Sequence, residues 1–347
     1  MFKRDGRLCN HGGNTQQDWP ESKHSVDEDS KQSGKGFAIL LLVRLSLLSI
    51  AIPLLAQAQI PAPTLPETSV KISDHVYETV GFPNIVYVVG SDATLVVDTG
   101  LGVSNGATVV KVAKRLAKGP KLFLTTTHYH PEHAAGVGAF PPETILIRPV
   151  AQQRELDKEG ESTMTRFRSS PQFGPFLQGQ VPMRTPDVVF ENDATVDLGG
   201  GVSVRLMFLG AGHTASDELI LVEPDKALIT GDIVQNKVVP SVASSGGSFT
   251  SWLNVLDKLV ALQPRLVVPT HSKVGDATLI TAEAAFIRDM WNRAAALKKS
   301  GVPAADAAKT LTEVFKTNYA EWAANTDWTN LNSMTGFVNR LYAEIPN

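Results

Sequence analysis

Beyond residue 70 the apolar positions come in short runs of Val, Ile, Leu and Tyr broken by Gly, Asp and Asn. The stretches "HVYETVG", "NIVYVVG" and "ATLVVDTG" predict strands in a meander. "GATVVKVAKRLAKG" changes the spacing to that of a helix and ends on glycine. "KLFLTTT" and "TILIRPV" predict buried strands, and "AQQRELDKEGE" a helix. From 160 to 185 the pattern breaks up, with Gly, Pro and Phe scattered through "RFRSSPQFGPFLQGQVPMRTP". This predicts an irregular segment, either an insertion lying over a site or a surface loop. The second half repeats the theme. "DVVFEND", "ATVDLGG", "VSVRLMFLG", "ELILVEP" and "KALITGD" predict strands, "SFTSWLNVLDKLVAL" a helix, and "RLVVPTH" another strand. After Asp276 helical spacing dominates, in "TLITAEAAFIRDMWNRAAALKKSG", "PAADAAKTLTEVFKTNYAEW" and "LNSMTGFVNRLYAEI". Meanders alternating with helices in two halves predict an α/β fold of stacked sheet and helix layers.

The start of the chain follows different rules. Residues 1–35 are polar and lack the means to bury a core. "FAILLLVRLSLLSIAIPLLAQAQIPAP" then gives a short apolar run, Leu45 to Leu55, ending in Ala56-Gln57-Ala58. A basic start, short apolar middle and small-residue exit make residues 1–58 a polar lead plus signal peptide, cleaved after Ala58. The mature protein is then periplasmic or secreted, with no stable membrane insertion. The competing reading is an N-terminal anchor over 37–55, in which Arg44 costs about 2.5 kcal/mol or more. A start at Val43, read as Met, leaves a compact signal. Residues 59–70 are a Pro-rich linker.

Length and composition narrow the picture further. The 347 residues, 43% of them hydrophobic, suffice for one large domain or two small ones. A net charge of −3 offers no basic domain for nucleic acid. Cys9 is the only cysteine and lies in the lead, so the mature chain has neither a disulfide nor a thiolate ligand.

The candidate chemistry concentrates in "THYHPEH", Thr127 to His133. It holds three of the eight histidines and a carboxylate directly after a strand. His128 and His130 share one parity, so both can face the same ion, while Glu132 and His133 begin the next helix and can face a second. His213 in "GAGHTASD", Asp232 in "ITGD", His271 in "PTHSK" and Asp98 in "VVDTG" also sit where strands end. Each alone reads as an ordinary hydrogen-bonding residue, and His75 reads as structural; their joint placement is what points to a metal centre.

In this order, "VVDTG", "THYHPEH", "GAGHTASD", "ITGD" and "PTH" resemble the metallo-β-lactamase superfamily, from about Lys71 to Gly275. The resemblance implies a four-layer αββα sandwich over 71–275, with 276–347 as a C-terminal helical extension on the same domain. It also implies two zinc ions at one edge of the sheets. His128, His130 and His213 would hold the first, His133 and His271 the second, and Asp232 would bridge them; Asp98 would orient the metal loop. Glu132 stands where the family usually has Asp, which leaves two roles open: ligand after a local shift, or base. The implied activity is an exported zinc-dependent hydrolase, with Glu132 and Asp232 serving catalysis. Hydroxide held by the metal would attack the carbonyl of a lactone, ester or related acyl compound. β-Lactam hydrolysis is the alternative. Iron with redox or sulfur-oxidation chemistry, and a non-catalytic metal-binding protein, are further ones. The expected partner is a small acyl molecule, with no nucleic acid.

Overall fold

The computed structural model describes residues 63–179, 183–324 and 331–346; the lead, the signal segment and Trp328 lie outside these. No described helix is long and apolar enough to cross a membrane.

Two sheets carry the fold. The first contains, in spatial and chain order, β1 (Val70–Lys71), β2 (Val76–Thr79), β3 (Ile85–Val89), β4 (Ala93–Val97), β5 (Lys121–Thr125), β6 (Ile145–Pro149) and β7 (Val188–Phe190). The second runs β12 (Leu266–Pro269), β11 (Ala227–Gly231), β10 (Glu218–Glu223), β9 (Val202–Phe208) and β8 (Asp193–Gly199). Central strands read as unbroken apolar runs because both faces are covered. In β3, Val86 and Val88 point between the sheets, while Ile85 and Tyr87 face the outer helix layer. In β10, Ile220 and Val222 point inward and Leu219 and Leu221 outward.

Helix α1 (Gly102–Leu116) lays Val109, Val112 and Ala113 on the first sheet. Helix α4 (Phe249–Ala261) covers the second with Trp252, Leu256 and Leu259. The order helix, sheet, sheet, helix is thus the αββα sandwich that the sequence motifs imply. Between them in the chain come the one-turn α2 (Pro131–Ala134) and the longer α3 (Val150–Arg168).

Of the C-terminal helices α5 (Thr278–Lys299), α6 (Ala304–Asn318), α7 (Ala320–Ala324) and α8 (Leu331–Glu344), α5 and α8 pack on α4, and α6 packs on α5 and α8. Phe286 stacks on Trp322 with centroids 4.4 Å apart, and Phe337 lies 4.6 Å from Phe249. Glu344 accepts from the backbone N–H of Phe249 and Thr250, both at 3.1 Å, placing a carboxylate at the N-terminus of α4.

Two sequence expectations need correction. The break placed at 160 is absent: α3 continues to Arg168, and a 3-10 turn follows at Gly174–Leu177. Gly160 lowers helix propensity by about 1 kcal/mol, but Thr163 is buried and Met164 and Phe167 pack into a small apolar cluster, which holds the extra turns. The single helix expected over 303–322 divides at Tyr319, whose phenol donates to Asp289 (2.8 Å) while its ring packs on Phe286 (4.8 Å).

Candidate metal centre

The chain ends of β4, β5, β9, β11 and β12 meet at one edge of the sandwich. Backbone bonds stitch the two sheets there: Glu218 donates to the Thr127 carbonyl, and Asn84 to that of Thr270, both at 2.7 Å. Beyond β5, Thr126 is held by α3 through a reciprocal pair with Gln152 (2.7 and 2.8 Å). Pro131 then opens α2 at a position where its missing N–H costs nothing. Asp98 follows β4 with φ 70°, a left-handed conformation that Asp tolerates better than most residues. Its carboxylate accepts from Thr127 N (2.7 Å), Thr127 Oγ1 (3.1 Å) and His133 Nδ1 (2.9 Å). Gly231, with φ 54°, ends β11; a Cβ there would sit 2.7 Å from Thr127 Cβ, so glycine alone lets Asp232 come beside the first sheet's loop.

These elements bring all seven ligand candidates together in two adjoining nests. In the first, His128 Nε2 lies 2.9 Å and His213 Nε2 3.4 Å from His130 Nδ1. Two nitrogens bound to one tetrahedral zinc are about 3.3 Å apart, so the spacing is that of a ligand set. Hydrogen bonding alone leaves such a trio short of protons, since His130 Nδ1 faces two neighbours at once. In the second nest, His133 Nε2 lies 3.2 Å from His271 Nε2, and Glu132 joins them. Asp232 faces both: Oδ2 is 3.4 Å from His213 Nε2, and Oδ1 is 3.5 Å from His271 Nε2 and 3.9 Å from His133 Nε2. Thr270 Oγ1 donates to Oδ1 at 2.8 Å and fixes its direction.

Proton placement suits a cation. Asp98 claims the Nδ1 proton of His133, and the Ser241 carbonyl claims that of His213 at 2.6 Å, so in both rings Nε2 is the atom left for a cation. Glu132 Oε2 is buried with no hydrogen-bond partner, a carboxylate oxygen that a cation would satisfy. Burial, reinforced by neighbouring imidazoles, holds His128 and His130 well below the ordinary histidine range. Burial pushes Glu132 up to about 7. Burial also disfavours a charged His133, but Asp98, Asp232 and Glu132 outweigh it and raise the group to about 9. Burial likewise works against an ionised Asp232, yet His271, His213 and His133 overcome it and hold the carboxyl far below the usual carboxylate range. His75 lies apart from the cluster, bonded through Nδ1 to Asp225 at 2.6 Å.

Several contributors went unmarked in the sequence. Glu155 on α3 accepts from Ala215 N at 3.0 Å and from the Ser216 hydroxyl, pinning the His213 loop. Gln235 donates to Asp232 Oδ1 (3.3 Å) and accepts from His271 N (3.3 Å). Three phenylalanines span the nests: Phe82 lies 4.8 Å from His271 and stacks on Phe173 (5.5 Å), Phe173 stacks on Phe167 (5.3 Å), and Phe167 lies 6.4 Å from His130. Phe167 and Phe173 of the 160–185 segment therefore lie over the site. The available signal was the helical spacing of Gln152, Glu155 and Glu159 on one face of α3.

Known proteins share this fold. A linear primary-alkylsulfatase from Pseudomonas sp. (strain ATCC 19151) is 27% identical over 241 residues, covering 58% of this chain and 45% of that enzyme. This chain thus spans less than half the length of the curated relative it matches. A metallo-beta-lactamase from Pontibacter korlensis superposes with TM-score 0.51 at 20% identity, covering 65% of this chain and 99% of the other. The stereoselective inverting sec-alkylsulfatase Pisa1 from Pseudomonas sp. gives TM-score 0.59 at 13% identity, covering 79% and 49%. At these identities the structural likeness establishes fold. The sequence profile of the metallo-beta-lactamase superfamily spans residues 79–271, every candidate ligand among them, and the chain belongs to that superfamily.

Proposed function

We propose that the protein is a metal-dependent hydrolase that cleaves a carboxylic ester or lactone in a molecule with an apolar chain. One observation carries the reading: two nests of inward-facing imidazoles share the carboxylate of Asp232 beneath an apolar cover. His128, His130 and His213 would hold one ion; Glu132, His133 and His271 would hold the other, with Asp232 between them. Zinc suits nitrogen and carboxylate donors, and when bound it makes water nucleophilic near neutral pH and polarises the oxygen of the bond being cleaved.

The chain's own residues do the rest. Asp98 and the Ser241 carbonyl hold His133 and His213 in the tautomers that face inward. Thr270 and Gln235 keep Asp232 Oδ1 aimed at the second nest. Glu132, pushed up to about 7 by burial, gives up its proton when it joins His133 and His271 around an ion. Phe82, Phe167 and Phe173 exclude water and give an apolar chain a surface to lie on.

A second reading, sulfate-ester hydrolysis, is favoured by the alkylsulfatase relative and by the larger share of the chain that the sulfatase fold covers. Export is part of the proposal, resting on the signal pattern over 37–58. The test is a substrate panel with and without chelator: 4-nitrophenyl butyrate, an acyl-homoserine lactone, octyl sulfate and nitrocefin. Chelator-sensitive turnover of the ester or lactone supports the first reading; octyl sulfate turnover alone selects the second. Turnover that survives metal removal, or none of any substrate after zinc loading, overturns the hydrolase assignment.

A further inference from the structure

Arg166 stands beside this site with nothing assigned to it. It lies in the last turn of α3 next to Phe167, whose ring is 6.4 Å from that of His130. Its guanidinium carbon sits 5.9 Å from the Phe167 centroid, a cation–π arrangement that fixes the group while leaving its N–H donors free. Among the described residues it makes no ion pair and no hydrogen bond, whereas Arg184, Arg288, Arg293 and Arg340 each pair with a carboxylate.

The space before it is a cleft of about 470 Å³, lined by Arg166, Ser162, Thr163, Glu159, Val242 and Ser244. Its far wall hangs from the metal loop: Ala243 N donates to the His213 carbonyl at 2.8 Å, and Ser241 O accepts from His213 Nδ1. The cleft therefore adjoins the first nest. Its own carboxylate is tied to the opposite wall and the flanks: Glu159 accepts from N and Oγ of Ser245, which also lines the cleft, from the Tyr129 hydroxyl (3.4 Å) and from Lys158 Nζ (3.3 Å). The Ser244 hydroxyl is buried without a partner, a second donor on the same wall.

We infer that Arg166 is a specificity residue that grips an anionic oxygen of the substrate, so that the enzyme selects amphiphilic anions. The apolar part lies on Phe167 and Phe173, and a carboxylate or sulfate oxygen meets Arg166. This rests on the hydrolase reading and sharpens it, because an apolar cover alone accepts neutral esters equally well. A charge-assisted, fork-shaped contact from Arg changes affinity by about tenfold or more.

The test compares zinc-loaded full-length protein on three substrates: neutral 4-nitrophenyl butyrate, mono-4-nitrophenyl glutarate with a carboxylate remote from the scissile bond, and octyl sulfate with the anion at that bond. Wild type favours an anionic substrate in kcat/KM, and Arg166→Gln lowers the anionic-to-neutral ratio about tenfold through KM, with Arg166→Lys recovering part of it. Which anion responds identifies the source of the charge. Calorimetric binding of glutarate and of octyl sulfate, to zinc-loaded and chelator-treated protein, gives a readout that needs no turnover. Arg166-dependent binding without hydrolysis of any ester leaves this inference standing and overturns the hydrolase reading. An unchanged ratio together with unchanged anion affinity in Arg166→Gln overturns the inference. Equal loss on neutral and anionic substrates does so too, since it shows a packing role.

Discussion

Replacing Asp98 by Asn isolates a single proton. The backbone at 98 is left-handed, and Asn tolerates that conformation as Asp does, so the fold feels little. Oδ1 can still accept from Thr127 N. Where Oδ2 now takes the Nδ1 proton of His133 at 2.9 Å, Asn presents an N–H donor against another donor. The imidazole escapes by moving its proton to Nε2, the atom that faces His271 at 3.2 Å. The second nest then loses a lone pair, while His128, His130 and His213 keep theirs. Loss of such a supporting hydrogen bond weakens metal binding about 10- to 100-fold, or about 1.4–2.7 kcal/mol. Zinc content after equilibration with a competing chromophoric chelator should show one tight equivalent unchanged and the second weakened by that factor, with turnover falling in step with second-site occupancy. Two equivalents bound with wild-type affinity in Asp98→Asn would refute the tautomer argument.

Two further outcomes follow from the same geometry. In the metal-free protein His133 is raised to about 9 and Glu132 to about 7, so zinc entering the second nest must displace their protons as pH falls. Its affinity should drop about tenfold per pH unit between 9 and 7 and about a hundredfold per unit below 7, whereas His128 and His130, held low, add no such loss to the first nest; competition titrations at pH 6, 7 and 8 check this, and equal slopes for both ions count against it. Trp252→Ala removes a fully buried ring on α4 and its Nε1 bond to the Ile233 carbonyl (2.8 Å), one residue from Asp232. It should cost about 3–5 kcal/mol in urea unfolding, and a loss under 1 kcal/mol would mean the second sheet's helix layer is not held as described.

What the sequence made legible depended on density and period. "THYHPEH" packs its ligands into seven residues, and His213, Asp232 and His271 each follow a β-type run, so their convergence could be inferred without coordinates. The apolar strands were readable because both faces are buried and the runs are continuous. Arg166, Phe167 and Phe173 were not readable. They lie where Gly160 and a polar stretch hide the helical period, and only tertiary contact with Met164 and Leu177 orders that turn. Gln152 and Glu155 were equally hidden, since polar residues on a helix ordinarily mark its solvent face. Here they are buried because the metal loop and the His213 loop consume their hydrogen bonds.

The ligands are divided between the two sheets, and this has a consequence for stability. His128, His130, Glu132 and His133 come from the first sheet's loop; His213, Asp232 and His271 come from the second. Without a cation, five imidazoles and two carboxylates crowd a buried pocket whose members titrate against one another, which works against the closed edge. A bound ion reverses the sign and ties one sheet to the other. Binding confined to the folded state stabilises by about 4 kcal/mol at a free zinc concentration a thousandfold above Kd. At roughly 2 °C per kcal/mol for a domain of this size, that is a rise of about 8 °C in Tm. Replacing His213, Asp232 and His271 together (by Ala, Asn and Ala), which leaves the first sheet's loop complete, should abolish most of that rise, because a cation held from one side clasps nothing. A variant that still gains the full shift on adding zinc would show that the first sheet's loop binds metal by itself and that the two halves of the site act separately.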